Sequence, residues 1–367
     1  MKKIVLAFLA ITFGTTMMAQ TTFRNISYED AIKASKSEGK AVFVYFYDQA
    51  ERGWKIMEER FKDPAIGDVI NNKYIALRLD GGGADRALYS KHFNNGCPAY
   101  IVVDAENNLL WKSSGNKDPY DLCTMLSVAD DKNYSLERME ARYNGGERNV
   151  NLIKSYAVAM TDQPVKTFEQ LEERREEAQK MVDNYYSSLS NADRLSPENM
   201  FVYERYLTSS TSPAARFLVN NLSKLPADKK ETITKNLYSA FERDADAYFS
   251  GKKSFNDSEF KQFKNDVKKL GLNKNKQMDT KFQFTEAAST MSADDFINFC
   301  KANYSKLTPA EQTTLFGGFA SRVKSDNYVD KVKTALFLRD MLTNLDSDAI
   351  YATISQIAKL EGKDKKF

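Results

Sequence analysis

The seven residues Ala41-Val-Phe-Val-Tyr-Phe-Tyr47 are apolar on both faces of a strand. A strand with one wet face alternates apolar and polar residues, whereas one covered on both sides reads as a continuous apolar run. This segment therefore predicts a central strand in a sheet with helices on each side. The neighbouring sequence supplies them. Ser27-Tyr28-Glu29-Asp30 predicts a helix start with Ser27 as N-cap and a helix end near Gly39. Trp54, Met57 and Phe61 fall on one inward stripe of a following helix. Asp63-Pro64 opens a further helix carrying Ile66, Val69 and Ile70.

The strand pattern continues for a limited stretch. Tyr74 to Asp80 alternates, with Ile75, Leu77 and Leu79 on one face. Gly81-Gly82-Gly83 predicts a flexible connection, because it lacks the spacing and the Lys-Ser/Thr of a phosphate loop. A helix is expected over Ala84 to Phe93. Ala99–Asp104 and Leu109–Lys112 flank the polar turn Glu106-Asn107-Asn108 and read as a hairpin. Asp118-Pro119 opens a last helix with Leu122, Cys123 and Leu126.

Beyond about residue 133 strand-like runs cease. Helices are expected over 136–143, 150–160, 167–188, 198–206, 214–225, 229–249, 258–270, 293–304, 309–323, 329–344 and 347–360, punctuated by Gly145-Gly146, Ser212-Pro213, Gly251, Gly271 and Thr308-Pro309. Repeated helix pairs suggest a solenoid-like array, although no strict repeat signature is present. The charge run Glu169 to Lys180 reads as a solvated helix face, and Tyr185-Tyr186 as core.

The first nineteen residues have the layout of a secretory leader: Lys2 and Lys3, an apolar run from Ile4 to Phe13, and a small residue at Ala19. The run is too short to cross about 30 Å of hydrocarbon. The expected organisation is a leader over 1–19, an α/β domain over 20–132 and an all-α domain over 133–367. The leader resembles those of Gram-negative exported proteins and implies a periplasmic or secreted location. Loss of Lys2 and Lys3 takes the 53 basic against 50 acidic residues to 51 against 50. So neutral a chain has no basic field to hold nucleic acid. With three cysteines at 97, 123 and 300 and one histidine, His92, no zinc or Cys-x-x-Cys spacing exists and multi-histidine metal centres are excluded. No cofactor is expected. His92 reads as a surface or capping residue.

Three stretches of residues 22–130 together resemble the thioredoxin family: "EDAIKASKSEGKAVFVYFY", "RFKDPAIGDVINNKYIALRLD" and, most specifically, "NNGCPAYIVVDAENNLLWKSSG" with its Gly-x-Pro turn. The resemblance implies a mixed sheet flanked by helices and a cis peptide bond ahead of Pro98. In that family a Cys-x-x-Cys opens the helix after the central strand. With Phe46 before it and Met57 after it as landmarks, those two positions fall on Glu51 and Trp54. A carboxylate at a helix start suits the helix dipole, but it cannot exchange disulfides. No cysteine lies between residues 1 and 96.

The expected function is therefore an exported, redox-inactive binding or scaffold protein that holds a protein or peptide client noncovalently. The expected site is Cys97 and Pro98, with Trp54 as apolar anchor and Glu51 and Arg52 as polar discriminators, and without catalytic residues. The alternative is a monothiol disulfide oxidoreductase or isomerase acting through Cys97. The plainer reading of that residue is a small side chain filling space beside Trp54.

Overall fold

The computed structural model describes residues 20–94, 96–163, 165, 167–273, 276–323 and 327–362. The expected leader, residues 1–19, lies outside them. The chain forms two compact units, Met1–Tyr185 and Tyr186–Phe367.

In the first unit the order is α1 (Tyr28–Glu38), β1 (Ala41–Tyr47), α2 (Gly53–Arg60), α3 (Pro64–Lys73), β2 (Tyr74–Asp80), α4 (Arg86–Tyr89), β3 (Ala99–Val103), β4 (Leu109–Ser114), α5 (Pro119–Leu126), α6 (Leu136–Asn144), α7 (Val150–Asp162) and α8 (Phe168–Ser188). The strands form one mixed sheet in the order β2-β1-β3-β4. β1 and β2 run parallel, while β1–β3 and β3–β4 are antiparallel.

β1 is central, and its alternate residues feed two separate cores. Val42, Val44 and Phe46 pack with Ala31 of α1, Ile75, Leu77 and Tyr89 of α4. Phe43 and Tyr45 pack with Met57 of α2, Ile66 and Ile70 of α3, and Leu122 and Leu126 of α5. All five of these β1 residues are completely buried, which is why the run carries no polar residue. At about 1.5–3 kcal/mol per large apolar side chain, β1 is a major contributor to the stability of the unit.

The helix ends follow local chemistry. Ser27 accepts from the Asp30 N–H, and Gly39 closes α1 at φ 67. Asp63 and Asp118 cap α3 and α5, each with proline at the first turn. The helix expected over Ala84 to Phe93 is confined to α4, followed by turns through His92.

The helical texture begins near residue 133, but the first compact unit continues to Tyr185. α7 packs on α5 and α6, and Asp162 at its carboxyl end reaches back to the sheet. The Ser113 hydroxyl donates to Asp162 Oδ2 at 2.6 Å, and Lys117 forms an ion pair with the same carboxylate.

The second unit contains α9 (Met200–Arg205), α10 (Pro213–Asn221), α11 (Ala227–Phe249), α12 (Asp257–Leu270), α13 (Asp279–Thr290), α14 (Ala293–Asn303), α15 (Pro309–Gly317), α16 (Phe319–Arg322), α17 (Tyr328–Met341) and α18 (Ser347–Gly362). Three hairpins share one corner: a helix tightens into a 3₁₀ turn, an extended leucine follows, and the next helix starts. The leucines are Leu225, Leu307 and Leu345, closing the turns Leu222–Lys224, Tyr304–Lys306 and Leu342–Asn344. Leu225 and Leu307 are buried, and Leu345 packs against the core. α14 packs on α17 and α15 on α18, so the last two hairpins stack.

α13 was not among the expected helices. Phe282, Phe284, Thr285 and Ala287 are buried but spread around the helix, so it lacks the single apolar stripe that makes an amphipathic helix legible. Tyr186 is fully buried, with its hydroxyl 2.8 Å from that of Tyr203.

Candidate functional site

The end of β1, the start of α2 and the segment before β3 meet at one place. The Tyr45 hydroxyl donates to the Trp54 carbonyl at 3.3 Å, tying the strand to the first turn of α2. Trp54 is half-buried, its ring 6.2 Å from that of Tyr47. The Arg78 guanidinium lies 3.9 Å over the Tyr47 ring and is held by Glu58 at 2.7 Å. A cation over an aromatic face, fixed by its own carboxylate, sets the Tyr47 ring in place.

The first residue of α2 touches the second element directly. A Cβ on Gly53 would stand 2.8 Å from Pro98 Cδ and 3.2 Å from Asn116 Oδ1. Only glycine permits this approach. The Cys97–Pro98 bond is cis. Pro98 is buried, and its carbonyl accepts from the Gly115 N–H at 2.7 Å. Among the described residues neither the N–H nor the C=O of Cys97 has a hydrogen-bond partner.

Cys97 packs against the core that contains Phe46 and Tyr89. Its half-buried side chain joins the Phe46–Tyr89 core on the α4 face of the sheet, whereas Trp54 faces Tyr47, which belongs with the opposite core. The neighbours the structure gives the thiol are thus Phe46 and Tyr89, where the sequence suggested space beside Trp54. Burial, then Asp48, Glu51 and Asp80, push the thiol up to about 11, against a smaller opposing effect of the Tyr89 hydroxyl. Burial and the thiol likewise push Tyr89 up to about 12. Cysteine exchanges disulfides as the thiolate, and these surroundings disfavour that form.

The three glycines are packed rather than loose. The Gly81 N–H continues the sheet by donating to Tyr47 O at 2.9 Å, and a Cβ there would lie 3.1 Å from the Tyr89 ring. Gly82 lies against the Asp48 carboxylate. The Gly83 N–H donates to Asp80 Oδ1 at 3.0 Å, and Asp85 accepts from the Asp80 N–H at 2.9 Å.

The structure thus brings Glu51, Gly53, Cys97 and Pro98 together. Arg52 is exposed at the α2 start, and Trp54 is half-buried in its first turn. Asn116, Tyr89 and Asp48 also border the site. Nothing in the spacing marked Asn116, which comes to Gly53 only through the turn after β4.

No family model matches the chain, and no curated protein matches its sequence.

The chemistry available is therefore that of the side chains themselves. Cys97, Cys123 and Cys300 are all free thiols. Burial also pushes Cys123 up to about 11 and raises Cys300, which sits inside the second unit's core. His92, half-buried, is held below its ordinary value by burial, Lys112 and Lys91. Among the described residues no group of three or more His, Cys, Asp or Glu side chains is placed to hold a metal ion, and no helix is long and apolar enough to cross a membrane. What remains is a short main-chain edge at Cys97, with Asp48, Glu51 and Asp80 near its thiol.

Proposed function

We propose that this chain is an exported binding protein whose first unit is a redox-silent, thioredoxin-like domain that holds an extended polypeptide client without covalent chemistry. The supporting observation is the free main chain of Cys97 beside a proline pressed against Gly53 at the start of α2. An extended segment gains affinity by pairing its backbone with such an edge and specificity from side-chain pockets alongside. Trp54 provides apolar surface, while Glu51 and Arg52 select the charge of the client. Glu51, Asp48 and Asp80 make a basic client residue the better match near Cys97.

The monothiol reading fits less well, because a thiol pushed up to about 11 leaves only about one part in ten thousand as thiolate at pH 7.

The chain has two tryptophans, Trp54 and Trp111. A Trp111→Phe variant of the chain without residues 1–19 reports on Trp54 alone. Titration with a library of extended peptides is expected to change Trp54 emission saturably, and binding measured calorimetrically is expected to fall at least tenfold in Trp54→Ala. Peptide binding that is equally tight in Trp54→Ala and Gly53→Ala places the client elsewhere and overturns this site.

A further inference from the structure

The last hairpin of the second unit is apolar on two sides. Its inner side joins the core: Phe337, Leu338 and Met341 of α17 are buried there, and Ile357 and Leu360 of α18 pack against the same cluster. α14 packs on α17 and α15 on α18, so this hairpin lies as a layer on the one before it.

Its outer side is exposed. On α17, Tyr328, Val329, Val332 and Leu336 are 37–53 % exposed, and on α18 Tyr351 and Ile354 are 77 % and 50 % exposed. With 3.6 residues per turn, the four α17 residues fall within about 100° of arc, roughly opposite Phe337, Leu338 and Met341. On α18, Tyr351, Ile354 and the exposed Ala358 form a row at i, i+3 and i+7, opposite the buried row of Ala349, Thr353 and Gln356. The end of a helical stack normally turns a polar face outward. A contiguous apolar patch in its place marks an interaction surface.

The α17 stripe itself indicates what covers it. Arg339 follows Tyr328 by about three turns and so falls in the same row, at the opposite end. Its side chain is 65 % exposed and is paired only with the adjoining Asp340, at 3.0 Å, an exposed ion pair that holds it weakly. A stripe with an aromatic ring at one end and a cation at the other is its own complement when two copies run antiparallel. Arg339 then meets the partner's Tyr328 ring, and Val332 and Leu336 close between the two ends. Such two-fold pairing of one patch with itself is the commonest form of self-association. α17 and α18 have 14 and 16 residues, so the face measures about 20 Å by 20 Å. That suits the small end of specific interfaces, about 1,000–1,200 Å² in total. We propose that the outer face of the α17–α18 hairpin is a self-association surface, on which a second copy of this chain packs its own hairpin about a two-fold axis with the two α17 helices antiparallel. This dimer does not depend on the Cys97 site.

The test is sedimentation equilibrium of the chain without residues 1–19 over about 1–300 μM, which brackets a Kd on the order of 10 μM. A monomer–dimer equilibrium in that range is expected. Leu336→Lys and Tyr351→Lys alter exposed positions on different helices, so each should leave Tm unchanged and raise Kd at least tenfold. Arg339→Glu should also weaken the dimer. The double variant Arg339→Glu, Tyr328→Lys should recover part of that loss, because opposite charges again meet across the axis. A chain that stays monomeric throughout leaves this face to a different macromolecule and overturns the proposal. A dimer equally tight in both lysine variants places the contact elsewhere and overturns it too, as does a double variant no tighter than Arg339→Glu alone.

Discussion

Gly53 and Pro98, 45 positions apart in the sequence, are so close that a Cβ on Gly53 would stand 2.8 Å from Pro98 Cδ. This contact joins the start of α2 to the segment leading into β3 and places the main chain of Cys97 at an open edge. Proline ring atoms cannot swing aside as a flexible side chain can, so the approach must be accommodated by backbone.

Gly53→Ala is accordingly expected to destabilise the chain by about 1–3 kcal/mol, the usual cost of overpacking. Urea unfolding should show a lower midpoint with an unchanged m-value. An unaltered midpoint means that α2 moves freely away from Pro98.

Thiol reactivity should report the surroundings of the cysteines. Cys97 and Cys123 are both pushed up to about 11, above the value of about 8.5 for a free thiol. Their folded forms therefore favour the protonated state. The stability from that preference is full below about pH 8.5 and lost as pH rises through about 11. Alkylation of the native protein by iodoacetamide should be slow at pH 7 and climb about tenfold per pH unit, whereas urea-unfolded chains should react at all three cysteines. A native rate that levels off by pH 8 contradicts this account.

The Lys117–Asp162 pair is nearly buried, with side chains 15 % and 13 % exposed. Removing one partner strands the other, so Asp162→Ala is expected to cost about 3 kcal/mol. The double variant Lys117→Met, Asp162→Leu should recover much of that loss. A double-mutant cycle in urea reads the coupling, and strict additivity would show the pair to be independent.

In the second unit the corner leucines should matter more than the caps. Leu307→Ala removes a side chain 4 % exposed and is expected to cost about 2–4 kcal/mol. Thr308→Ala breaks the reciprocal capping box with Glu311 and should cost about 1 kcal/mol. Thermal unfolding of the two variants ranks them, and a larger effect at Thr308 reverses this order.

Much of the α/β region was legible because its signals are local. The doubly apolar run Ala41–Tyr47, the caps Ser27, Asp63 and Asp118, and the Gly39 stop each depend on a few adjacent residues. The expected helices beyond residue 133 were legible for the same reason, whereas α13 was missed because its buried residues Phe282, Phe284, Thr285 and Ala287 do not fall on one stripe. The corner leucines were missed because they recur at 225, 307 and 345, too unevenly for a repeat to show.

The sequence by itself determined that no Cys-x-x-Cys exists, that a helix follows closely on Glu51, and that a buried strand precedes it. Only the tertiary structure decided that Cys97 packs with Phe46 and Tyr89, that Asp162 ties α7 to the sheet, and that Nε and Nη2 of Arg322 are buried with no hydrogen-bond partner among the described residues. The physical reason is range. Caps, turns and periodicity are fixed by neighbours along the chain, whereas burial, pairing and charge state depend on residues that only folding brings together.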